Sequence, residues 1–98
     1  MMDRISHPDL TSVQRLVLRH LDSLEEGFGP AADLVIVEEL CRGIPVEAIA
    51  KRIGGSSHDV VARWYQMLFP AITTDMGVLK IDGRRDLLVA VRRRAGTA

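Results

Sequence analysis

Disulfide chemistry has nothing to work with in this chain, which carries one cysteine, Cys41, in 98 residues. A lone thiol closes no internal loop. A secreted scaffold held by disulfides is therefore excluded, and a reducing, cytoplasmic setting is the expectation. Aromatic residues are scarce, with one Trp, one Tyr and two Phe, so any core must be mainly aliphatic. Long apolar runs are missing too. Leu34-Val35-Ile36-Val37 ends at Glu38-Glu39, far short of the ~20 residues a membrane helix needs. Met1 to Ser6 show neither the basic start nor the apolar stretch of a leader, so none is expected. Net charge is absent as well, because thirteen Lys and Arg balance thirteen Asp and Glu.

What is present fits one ordinary globular domain. The chain is 47% hydrophobic and 27% charged, and a chain of this size buries about two thirds of its unfolded surface. The zero balance hides a division. Residues 1–40 hold eight acids and three bases, and residues 41–98 hold five acids and ten bases. Arginine supplies eleven of the thirteen cations. Such a basic half suits a face turned to a polyanion. It equally suits two halves that attract each other across the fold.

The spacing of apolar residues predicts an all-α, five-helix domain. Residues 1–10, with His7-Pro8, read as a flexible arm, and 96–98 as a tail. Thr11 and Gln14 fit a capping box that opens a first helix over about 11–26, ended by Gly27. Val13, Leu16, Val17, Leu21 and Leu24 form its core side. A second helix opens at Pro30 or Ala31 and runs to Gly43, with Leu34, Val37, Leu40 and Cys41 inward. A third starts at Pro45 and breaks at Gly54-Gly55, with Val46, Ile49, Ala50 and Ile53 as its stripe. Ser56, with Asp59 in the box position, opens a fourth, stopped by Pro70. Its apolar residues Val60, Val61, Trp64, Tyr65 and Leu68 cover nearly two faces. Residues 71–81 read as extended or loop, with no second strand to pair with Val78–Ile81. Asp82 then caps a last helix over about 83–95, with Leu87, Leu88, Val91 and Ala95 inward. The whole of 11–95 is one helical domain.

The informative stretch is Ile49-Ala50-Lys51-Arg52-Ile53-Gly54-Gly55-Ser56-Ser57-His58-Asp59-Val60-Val61-Ala62-Arg63-Trp64. Ala50 is small where two helices must cross, and Gly54 is permissive where the chain must turn. Val60 or Val61, then Trp64, would lock the second helix on the first. That is helix-turn-helix logic. Residues 31–68 resemble the Myb/SANT, homeodomain-like tri-helical class, with paired acids at Glu38-Glu39 in the first helix and Arg63-Trp64-Tyr65 near the end of the third. Ile49 to Gly55 is also similar to the start of the GcrA-type bacterial regulators. The resemblance covers under half the chain. It implies that Trp64 and Val60 are core, and that bases would be read from Val61, Ala62, Tyr65 and Gln66. Members that read bases usually carry Lys, Asn or Arg there. Only Gln66 and the Tyr65 hydroxyl offer hydrogen bonds at these positions.

Phosphate contacts are better supplied. Ser56, Ser57 and the first backbone N–H groups of the fourth helix could seat a phosphate, with His58 beside them. The plain alternative for the serines is capping. Lys51, Arg52 and Arg63 lie near in sequence, and Lys80, Arg84, Arg85, Arg92, Arg93 and Arg94 could extend a basic track. The alternative for the triple arginine is a solvated, frayed terminus. Ala62 and Gln66 complete the candidate DNA-binding set.

Enzyme chemistry finds no footing. Ser57-His58-Asp59 are neighbours at a helix start, where a base cannot bridge nucleophile and acid. His7, His20, His58 and Cys41 lack metal-ligand spacing. Gly54-Gly55-Ser56-Ser57 lacks the Lys-Ser/Thr of a phosphate-binding loop. No cofactor is expected. The leading expectation is a bacterial or phage-type DNA-binding transcriptional regulator that works mainly through phosphate contacts, with a homodimer compatible. The rival is a protein-interaction module of the same fold, docking a transcription or phage-assembly protein. The fourth helix separates the two. The expectation is that the first or last helix covers Val61 and Tyr65 within one chain.

Overall fold

A computed structural model describes residues 9–24 and 29–96. Five α-helices make up the described fold: α1 (Ser12–Ser23), α2 (Pro30–Cys41), α3 (Val46–Ile53), α4 (Ser57–Met67) and α5 (Ile81–Arg94), with a 3-10 turn at Pro70–Ile72. No helix among the described residues is long and apolar enough to cross a membrane. Residues 1–8, Gly27 and the last two residues of the expected tail lie outside the described residues. The described end of the expected arm is docked rather than loose. Leu10 is buried, and its carbonyl accepts a hydrogen bond from Arg15.

Local sequence sets the helix starts. Thr11 Oγ1 accepts the Gln14 N–H while Gln14 Oε1 accepts the Thr11 N–H, which satisfies two otherwise orphaned donors. Ser56 and Asp59 repeat the arrangement at α4. Gly54 ends α3 in the left-handed region, φ 75°, where a side chain would be strained. The last helix departs from expectation. Its N-cap is Lys80, with no side-chain cap, and Asp82 lies in its first turn.

The core is aliphatic: Val17, Leu18, Leu21, Ile36, Val37, Ile49, Val60, Met67, Ile72, Leu87 and Val91 are all buried. In α1 the buried stripe is Gln14-Val17-Leu18-Leu21, and Leu16, expected inward, is exposed. α1 packs chiefly on α5, α5 also packs on α2, and α3 packs on α4 and α2. The helix-turn-helix thus sits on one side of an α1–α5–α2 support. Between α4 and α5 the chain does pair with itself. Thr73 and Leu79 form a single antiparallel bridge, flanked by hydrogen bonds from Thr74 N to Val78 O and from Lys80 N to Ile72 O. This minimal hairpin replaces the expected unpaired segment. Gly83 lets α5 pass under it: a Cβ there would lie 2.3 Å from the Ile72 carbonyl oxygen.

Candidate nucleic-acid interface

α3 and α4 present the expected turn, and α4 divides cleanly into two faces. Val60, Arg63 and Met67 recur at helical spacing and point inward. His58, Val61, Ala62, Tyr65 and Gln66 are exposed on the other side. Val61 is 40% exposed and Tyr65 66%. The expected cover over these two residues is absent because α1 and α5 spend their apolar faces on each other and on α2. α1 reaches α4 only near its end. There the His20 ring stacks on Phe69 at 4.7 Å and its Nε2–H donates to the Gln66 carbonyl at 2.8 Å. Trp64, expected in the core, is half-buried and packs on the core's edge.

Arg63 overturns its expected role. It is 4% exposed. Its Nε and Nη2 each lie 2.8 Å from an oxygen of Asp33, itself 1% exposed, and its Nη1 donates to Gln66 Oε1 at 3.0 Å. The Asp33 hydrogen bonds hold the guanidinium still further above the usual arginine range. A phosphate cannot reach a cation so enclosed.

The expected basic track is also broken up. Arg52 joins Arg42 on Glu39 of α2. Arg85 lies 3.8 Å from Asp82 and 3.9 Å from Asp86, in a cleft with Thr11 and Val13 and away from α4. Lys80 lines that same cleft. Arg92 pairs with Glu38, Arg93 with Asp9, and Arg94 with both Asp22 and Asp33. The triple arginine is therefore neither a frayed end nor a free cationic strip. It clamps the last helix to the acidic first half, so the two charged halves attract each other across the fold. Arg84 stands apart, beside Tyr65 in a cleft between α4 and the hairpin.

What remains together at the turn is Lys51, Ser56, Ser57, His58, Ala62 and Gln66, with Val61 and Tyr65. Lys51 is exposed and carries no ion pair among the described residues. The Ser56 hydroxyl is engaged as the α4 cap. Asp59 sits in the first turn, and its carboxyl is held below the usual aspartate range by the Ser56 backbone N–H and hydroxyl. That negative charge weakens the α4 N-terminus as a phosphate seat. Among the described residues no cluster of His, Cys, Asp and Glu could hold a metal ion. Sequence reasoning missed the Asp33–Arg63 pair, although both residues fall on otherwise apolar stripes of their helices. Comparison of the chain with family models, with curated proteins and with solved structures yields no match.

Proposed function

We propose that the chain is a DNA-binding helix-turn-helix module of the bacterial or phage regulatory kind, with α4 as the helix that enters the major groove. One observation carries this reading: α4 is fixed through Val60, Arg63 and Met67 while its opposite face is left uncovered. The major groove admits a helix of this width. Val61 and Ala62 suit thymine methyl groups. The Tyr65 hydroxyl, the His58 ring and the Gln66 amide N–H groups supply the hydrogen bonds. Lys51 takes the phosphate contact, and the first N–H groups of α4, weakened by Asp59, add less. Because most arginines are already paired, few phosphates are neutralised. The salt dependence is correspondingly shallow, at about 0.9 in log–log slope per phosphate.

Fluorescence anisotropy with random and genomic duplexes over a salt series tests this. Binding at low salt is expected, weakened across all sequences by Lys51→Ala and altered in sequence preference by Gln66→Ala. No binding at low salt overturns it. The second reading, a protein-docking module, then leads. Exposed Val61 and Tyr65 favour it, since exposed apolar patches mark partner surfaces.

A further inference from the structure

Eight arginines lie beyond residue 41, and seven of them have a carboxylate partner among the described residues. The eighth is Arg84. Among the described residues it forms no ion pair, although α5 places it one turn from Leu88 and two turns from the paired Arg92. It stands in the wall shared by two open clefts. One, of about 330 Å³, lies between α4 and the hairpin and is lined by Leu40, Trp64, Tyr65, Leu68 and Leu79. The other, of about 400 Å³, continues along α2 and α5 past Cys41 and Leu88. Its acid, Glu38, is engaged by Arg92.

We infer that this is a binding site for a small amphipathic carboxylate, an acid group on an apolar body. The reasons are chemical. A guanidinium is planar and pairs with a carboxylate through two parallel N–H···O bonds. Every other arginine of this half already makes contact with a carboxylate from its own chain, and Arg84 alone leaves that place to a ligand. An isolated exposed arginine would be satisfied by water. This one is bordered by an aromatic and aliphatic wall, which rewards a ligand that covers both. Volumes of this size are those of small-molecule sites, and in the first cleft Arg84 is the one charged side chain among the lining residues. The exposed side chain of Tyr65 and the hairpin segment Gly77–Leu79 border it. The site stands independently of the nucleic-acid reading, since no DNA contact enters the argument.

Trp64, the single tryptophan, lines the cleft and reports on it directly. The experiment is a fluorescence titration of the full chain with sodium octanoate, well below its micelle-forming concentration, beside octanamide as the neutral isostere. Saturable change in Trp64 emission is expected with octanoate, at about tenfold lower concentration than with octanamide. Arg84→Ala removes the preference for the acid, Arg84→Lys retains part of it, and Arg85→Ala, in the separate cleft with Thr11 and Val13, leaves it intact. No saturable change, equal response to octanoate and octanamide in the unaltered chain, or an acid preference that survives Arg84→Ala overturns the site. The titration contains no DNA, so its failure leaves the DNA-binding reading standing, and the failure of that reading leaves this one.

Discussion

Arg63 of α4 and Asp33 of α2 face each other side by side, two N–H groups on two carboxylate oxygens at 2.8 Å each. The same Asp33 also accepts from Arg94 Nη1 at 2.8 Å, so one buried carboxylate joins α2, α4 and α5. Removing one member of such a buried pair strands the other charge, which costs about 3–5 kcal/mol. Asp33→Ala strands Arg63 and takes from Arg94 one of its two acids, and should be a damaging single change. It should cost a large part of the ~5–15 kcal/mol available to a small domain. A paired Asp33→Leu, Arg63→Met replacement should recover most of the loss, because well-packed apolar groups replace buried ions at little cost. Urea unfolding of the two variants beside the parent chain checks the order. Equal stability of Asp33→Ala and the parent chain would refute the role given to this carboxylate.

The two faces of α4 should respond differently to truncation. Val60 is fully buried, and its side chain contributes about 1.5–3 kcal/mol. Val60→Ala should lower the melting temperature by several degrees. Tyr65→Ala removes a side chain that is mostly in water and should leave melting unchanged while weakening binding to whatever α4 meets. Thermal unfolding, run beside the binding assays, separates the two effects. A Tyr65→Ala protein that melts early would place the tyrosine in the folded core after all.

Capping at α4 predicts a pH effect of known sign. The Asp59 carboxyl titrates below the ordinary value of 3.8 because it accepts the Ser56 backbone N–H and hydroxyl. A carboxylate depressed on folding stabilises above its unfolded pKa and loses that contribution as pH falls through the folded value. The melting-temperature gap between the parent and Asp59→Asn should therefore be open at neutral pH and close as the pH falls through the carboxyl's lowered pKa. Ser56→Ala removes the reciprocal half of the box and should cost about 1 kcal/mol. A gap that widens in acid would contradict the geometry.

Gly83 predicts a steric effect that no exposed helix position should show. Any side chain there meets the Ile72 carbonyl oxygen at 2.3 Å and the Ile72 Cβ at 2.9 Å. Backbone has to move, at about 1–3 kcal/mol for overpacking. Gly83→Ala should destabilise the fold and also displace the hairpin, visible as changed amide shifts at Thr74, Val78 and Lys80. A neutral or stabilising Gly83→Ala, the usual result of that change inside a helix, would show that the contact is not close.

How far the sequence carried the reading follows the range of each interaction. Thr11–Gln14, Ser56–Asp59 and the turn at Gly54 involve residues three apart or a single residue, so their signatures are complete within a short window. Arg63 is the opposite case. Its spacing from Val60 and Met67 places it on the buried stripe, yet its charge suggests the surface. The conflict resolves only through Asp33, thirty residues earlier. Two opposite charges on two apolar stripes are the available signal, and pairing them is a tertiary question. The same holds for Arg92, Arg93 and Arg94, whose acids are 54, 84 and 72 residues away. The uncovered face of α4 was undecidable for a related reason. It depended on which helix α1 chose as its neighbour, and α1's apolar stripe is compatible with several.

That choice of neighbour has a consequence for the order in which the molecule is made. α1 is the earliest of the described helices to leave the ribosome, yet its main packing partner, α5, is the latest. The intervening α2, α3 and α4 can find one another before α5 docks, because their contacts with each other are close in sequence. Meanwhile α1 waits with Val17, Leu18 and Leu21 unsheltered, beside acids whose arginines have not yet been added. The growing chain thus passes through an acidic, incompletely packed stage, and the arrival of α5 seals the apolar seam and cancels the charge together.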